Sequence, residues 1–132
     1  MREIKNHIVN ECNDKLKIEV LDEPGSGGAC HAYEITGFET GTNKSLPGDG
    51  IQPKSKTLVL FQNGPIKEVG TNGLTHEALL AILEDRLQSF QSGPYACPEN
   101  EQALMHVRCA QGALQSRTKA RLNRGVEGTH KI

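Results

Sequence analysis

The chain has 132 residues, 36% of them hydrophobic, 4% aromatic and none Trp, which bounds it to one domain, 1–132, with a modest, mostly aliphatic core that oligomerisation would help. With 15 Lys and Arg against 16 Asp and Glu, nothing global argues for a DNA or RNA polymer partner or a membrane surface. The opening Met-Arg-Glu-Ile-Lys-Asn-His lacks the apolar run of a signal peptide and no segment is long enough to span a bilayer, so a cytoplasmic location is expected.

The first part, 1–72, reads as strands. Leu16 to Leu21 alternates, with Leu16, Ile18 and Val20 on one face; Asp22-Glu23-Pro24-Gly25-Ser26-Gly27-Gly28 breaks the pattern, and Cys30 to Phe38 resumes it. That predicts a hairpin or a longer connection between two strands. Gly41 to Pro53 is punctuated by Gly and Pro and predicts an exposed loop, after which Thr57 to Gln62 predicts a more apolar strand. The expected sum is a small antiparallel sheet.

After Asn63-Gly64-Pro65 and Thr71-Asn72-Gly73 the period becomes helical, so 73–132 predicts a helical hairpin and the whole an α+β fold. Thr75 is the expected N-cap, and Leu79, Leu80, Ile82, Leu83, Leu87 and Phe90 form a broad apolar face. Gln91 to Pro98 is a short connection, with Pro98 suited to the first turn of a second helix that runs to about Arg124 and is closed by Gly125. At a rise of 1.5 Å per residue that helix is about 40 Å long, more than so small a sheet covers, which points to self-association.

Several residues carry the chemistry. In the second helix an apolar stripe of Ala103, Val107, Ala110 and Leu114 continues in step into Arg117 and Arg121. An inward arginine must be paired or wetted. No acid lies between Glu101 and Glu127, which leaves two readings open: an anion site between packed helices, or an ion pair with Glu84 or Asp85 of another copy. Phe90 and Tyr95 bracket the turn between the helices and Asn100 follows it. An aromatic face and an amide suit a purine base, while the plainer reading makes Phe90 a core residue and Asn100 a first-turn cap. Gly25-Ser26-Gly27-Gly28 lacks the Lys-Ser/Thr ending of a phosphate loop and reads as a turn.

No catalytic residues are expected. Asp49, Glu68, Glu84 and Asp85 are scattered, and Cys30 and His31 are neighbours that a strand would point to opposite faces. Cys12, Cys30, Cys97 and Cys109 lack Cys-x-x-Cys spacing and the histidines do not cluster near them. They read as free thiols, mostly buried, with no metal or cofactor.

Longer stretches carry a resemblance. Gly73 to Leu80 (GLTHEALL), Phe90 to Cys97 (FQSGPYAC) and Arg124 to His130 (RGVEGTH) resemble the helical hairpin shared by the phage anti-CBASS and anti-Thoeris sponge proteins. Ile18 to Gly25 (IEVLDEPG) and Phe61 to Gly70 (FQNGPIKEVG) are similar specifically to the first Thoeris anti-defence family. The match covers nearly all the chain except the loop from Gly41 to Ser55, where relatives are expected to differ.

The resemblance implies a protein that acts inside the infected host cell and captures cyclic nucleotide immune signals without cleaving them. The signal implied is glycocyclic ADP-ribose from TIR-domain enzymes, with cyclic di- or trinucleotides bound at separate sites by some members. Carried across by motif, the base-stacking aromatic and its amide fall on Phe90 and Asn100, the trinucleotide arginines on Arg117 and Arg121, and Lys67 becomes the candidate for the pyrophosphate. The assembly implied is a homodimer that builds a homohexamer.

Overall fold

The computed structural model describes residues 2–45 and 56–132, and divides into two compact units, Met1–Asn63 and Gly64–Ile132. The first unit is a four-stranded antiparallel meander of β1 (Arg2–Ile4), β2 (Lys17–Val20), β3 (Ala32–Thr36) and β4 (Lys56–Leu60), adjacent in chain order. The second is α1 (Ile66–Val69), α2 (His76–Gln91) and α3 (Pro98–Asn123). The predicted α+β architecture of sheet then hairpin is therefore observed. Most of the predicted Gly41 to Pro53 loop lies outside the described residues.

The register of the sheet sorts its two faces. Ile4, Ile18 and Ile35 stand opposite one another, as do Val20, Tyr33 and Val59. Val20 is fully buried there, and the Phe61 ring meets Tyr33 edge-on at 5.7 Å, an arrangement that the ring quadrupoles favour. On the other face Glu3, Glu19 and Glu34 form one cross-strand row. Like charges directly opposite destabilise a sheet. Lys17 at 3.2 Å from Glu19 and Lys56 at 3.3 Å from Glu34 offset part of that cost.

The connection from β2 to β3 is tied down by one carboxylate. Asp22 accepts the His31 backbone N–H at 2.9 and 3.1 Å and the Ala32 N–H at 3.0 Å. These bonds, that from Ala32 foremost, hold its carboxyl below the usual aspartate value. The Gly25 run is a single turn of 3-10 helix at Ser26–Gly28, with strands on both sides. At the other end of β3, Gly37 has φ +94° and a Cβ there would stand 1.7 Å from the Lys15 carbonyl oxygen. Only glycine fits.

In the second unit Thr75 caps α2 by accepting the Ala78 N–H at 3.2 Å, as its sequence position predicts. Pro98 occupies the first turn of α3, and the cap itself is Cys97, whose Sγ accepts the Asn100 N–H at 3.4 Å. The four cysteines are free, but the expectation that most are buried fails: Cys12 and Cys109 are exposed, Cys30 and Cys97 half-buried. The described residues enclose too little space to take them, since the buried apolar side chains are Val20, Leu104 and Val126.

The antiparallel hairpin is pinned by Gln91 to Glu101, Arg108 to Glu84, and Gln111 to the Glu77 carbonyl. Its line of burial on α3 is Leu104, Val107, Gln111, Leu114, Thr118 and Arg121, whereas Ala103, Ala110 and Arg117 are exposed. The predicted stripe is thus corrected in phase. Val107, Leu114 and Arg121 belong to both lines; the positions between them lie on opposite flanks of a 3.6-residue helix, and apolar spacing alone chooses the alanines.

Replacing Asp22 by Asn is expected to lower the melting temperature near neutral pH. The difference should shrink as the pH falls below the ordinary aspartate value of about 3.9, because a carboxyl held low by folding stabilises only where it is ionised. Thermal melts of both proteins across that range check this; a difference independent of pH would assign the effect to packing.

Candidate functional site

Two places on the second unit collect the residues of interest, at opposite ends of α3. At the paired end, Leu83, Arg86, Leu87 and Phe90 of α2 and Asn100 and Val107 of α3 line a groove of about 320 Å³. The α2 residues recur at i, i+3, i+4 and i+7, so they share one face beside the line that packs on α3. Phe90 is 43% exposed and therefore is not a core residue of this chain. The Arg86 guanidinium lies 5.7 Å from the centroid of its ring, within cation–π range. Asn100 is not the helix cap, since Cys97 fills that role, and its amide is left to line the groove. The structure thus brings together Phe90 and Asn100, and adds Arg86.

Arg86 is the residue that sequence reasoning misses. On a helical wheel it reads as a solvated cation next to the acids Glu84 and Asp85 of α2. The available signal is its spacing of one turn from Phe90.

At the far end, α3 outruns α2: a helix of 26 residues packs beside one of 16, and the last turns project beyond the start of α2. On their inward side, at Arg121, they are covered by the chain's own tail, while Leu122 on the outer side stays exposed. Gly125, at φ +72°, closes α3 in a Schellman turn, with Val126 N–H to the Arg121 carbonyl and Gly125 N–H to the Leu122 carbonyl, both at 3.0 Å. The turn sends residues 126–132 back over Arg121. That guanidinium, 7% exposed, donates to the backbone oxygens of Val126 at 2.9 Å, Thr129 at 3.3 Å, and Lys131 and Ile132, and stands 3.4 Å from the Glu127 carboxylate. Its acid partner is the first one past the helix end. Glu84, considered as a partner in another copy, pairs with Arg108 of its own chain at 3.2 Å.

Arg117, one turn earlier, is exposed. Lys67 belongs to this end as well: its N–H donates to the Gly128 carbonyl at 3.1 Å and its side chain lies against Gly128. From Asn100 to Arg121 is roughly 30 Å along the helix, so a single chain does not bring Lys67 to the Phe90 groove. Tyr95 is 75% exposed and does not line the groove.

A family model described as "Acb2/Tad1, hairpin domain" matches residues 54–119. The chain is also similar to the protein named Thoeris anti-defense 1 of Bacillus phage SBSphiJ7, with 45% identity over 98% of this chain and 99% of the phage protein.

Arg121→Ala is expected to release the tail. It strands the Glu127 carboxylate and several buried carbonyls, a loss on the order of 3 kcal/mol by analogy with broken buried pairs. Denaturant unfolding reads the loss, and limited proteolysis should cut within 126–132 first. An uncut tail would mean that the Schellman turn holds it unaided.

Proposed function

The chain belongs to the Acb2/Tad1 hairpin family and, within it, to the Thoeris anti-defense 1 proteins, and from that membership we propose that it is a phage anti-defence protein that works as a sponge. It binds cyclic nucleotide immune signals, glycocyclic ADP-ribose first among them, and keeps them from their effector without cleaving them. The observation that carries this reading is the meeting of Phe90 and Asn100 in one open groove.

A base stacks on the exposed ring, and the Asn100 amide, which both donates and accepts, reads its edge. The groove lining of Leu83, Arg86, Leu87, Phe90, Asn100 and Val107 includes no carboxylate, imidazole, thiol or hydroxyl, which supports capture over turnover. A sponge depends on tight binding, so a rigid stacking face serves it and a general base does not.

Cyclic trinucleotides are assigned to the other end of α3. Arg117 presents an exposed guanidinium there, and Arg121 beneath it holds the helix end and tail in place. Three copies around a threefold axis would set Arg117 in a ring that matches three phosphates. Lys67 joins the ADP-ribose site only if a second copy supplies it. The exposed Ile82, Met105 and Leu122 give a dimer, and a hexamer built from dimers, apolar surface to cover. No helix among the described residues is long and apolar enough to cross a membrane.

Incubation with glycocyclic ADP-ribose, removal of free ligand, heat denaturation and assay of the supernatant test the reading. Intact ligand released by heat identifies a sponge, altered ligand an enzyme, and no depletion before heating a structural protein. Phe90→Ala should weaken capture by about 1–3 kcal/mol, the range for one lost stacked base. Arg117→Ala should abolish cyclic trinucleotide binding and spare glycocyclic ADP-ribose; equal loss of both in a binding titration would merge the two sites into one.

A further inference from the structure

The groove at Phe90 holds a charge that neither the sequence motifs nor the family match assigns. We infer that Arg86 is its anion-recognising residue, which meets the phosphate or pyrophosphate of a nucleotide whose base stacks on Phe90. The inference rests on the reading of this groove as a nucleotide site and adds the part of the ligand that Phe90 and Asn100 do not address.

The argument starts from what Arg86 does not do. Among the described residues its guanidinium makes no ion pair and no hydrogen bond, although the neighbouring Arg108 pairs with Glu84 and Arg121 with Glu127. Its contact is the Phe90 ring at 5.7 Å. Contact with a ring engages the charge of a guanidinium and leaves its in-plane N–H donors available, the geometry that suits bidentate binding of phosphate. The ring also restrains the side chain beforehand, so less rotamer freedom is lost when an anion arrives.

The rest of the lining explains why the charge matters. Leu83, Leu87 and Val107 are apolar and Asn100 is neutral, so Arg86 is the cation of the groove. Apolar walls lower the local dielectric and strengthen its attraction for an anion. Because Arg86 is one helical turn from Phe90, a phosphate that it binds lies close to a base stacked on that ring. Lys67, by contrast, is held at the tail end of the unit beside Gly128.

Calorimetric titration of the full chain with glycocyclic ADP-ribose and with adenosine, at low and moderate salt, tests this on the wild type, Arg86→Gln and Arg86→Lys. Arg86→Gln should lose tenfold or more in affinity for glycocyclic ADP-ribose and show a weaker salt dependence, with adenosine binding changed less than twofold; Arg86→Lys should fall between. Equal affinity of wild type and Arg86→Gln for glycocyclic ADP-ribose overturns the inference alone. So does an equal loss for adenosine, which would make Arg86 a positioning residue for the ring. A wild type that binds no glycocyclic ADP-ribose overturns the reading of the groove and the inference with it.

Discussion

A 26-residue helix packed against one of 16 residues cannot be covered along its whole length, and the second unit is organised around that mismatch. The paired end is set by side-chain bonds from Gln91, Glu84 and Gln111, and a hairpin with only two helices leaves the flank of that end open. The overhanging end, about 15 Å by the rise of an α-helix, has to find cover elsewhere. It finds it in the returning tail, which a left-handed glycine at 125 makes possible. The overhang follows from the difference in length, and the open groove from the hairpin having two helices.

Arg121 shows how such cover works when the chain is short of apolar residues. Val126, next to the Schellman turn, is buried, but the rest of the tail offers mainly backbone carbonyls and Glu127. A guanidinium satisfies these together, because its donors fan out in one plane. Removing either side would leave buried polar groups without partners, which costs more than the bonds themselves contribute. The arginine that looks out of place on an inward stripe is therefore what closes the stripe. Arg117, on the exposed flank, is free of that duty.

Much of the fold is legible in the sequence. Thr75, Pro98 and Gly125 mark helix boundaries by local chemistry, and the alternation around Ile18 and Val20 marks a strand. β1 and α1 are not legible, since three or four residues show no period and form only because a neighbour pairs with them: β1 along β2, and α1 against the tail through Lys67 and Gly128. The phase of α3 is half legible. Val107, Leu114 and Arg121 fit either line, and only the packed position of α2 selects Gln111 and Thr118 over Ala110 and Arg117.

The sequence by itself determined the α+β order, the capped hairpin and Phe90, Asn100, Arg117 and Arg121 as candidate binding residues, because caps, turns and periodicity are local and motifs survive as text. Tertiary structure alone decided that Phe90 and Asn100 share a groove, that Arg86 joins them, that Lys67 stands at the other end, and that Arg121 is spent on the tail while Arg117 is exposed. Those outcomes depend on which helix flank meets a neighbour and on where a returning chain lies. Such long-range choices are made by packing, and no spacing along one helix encodes them.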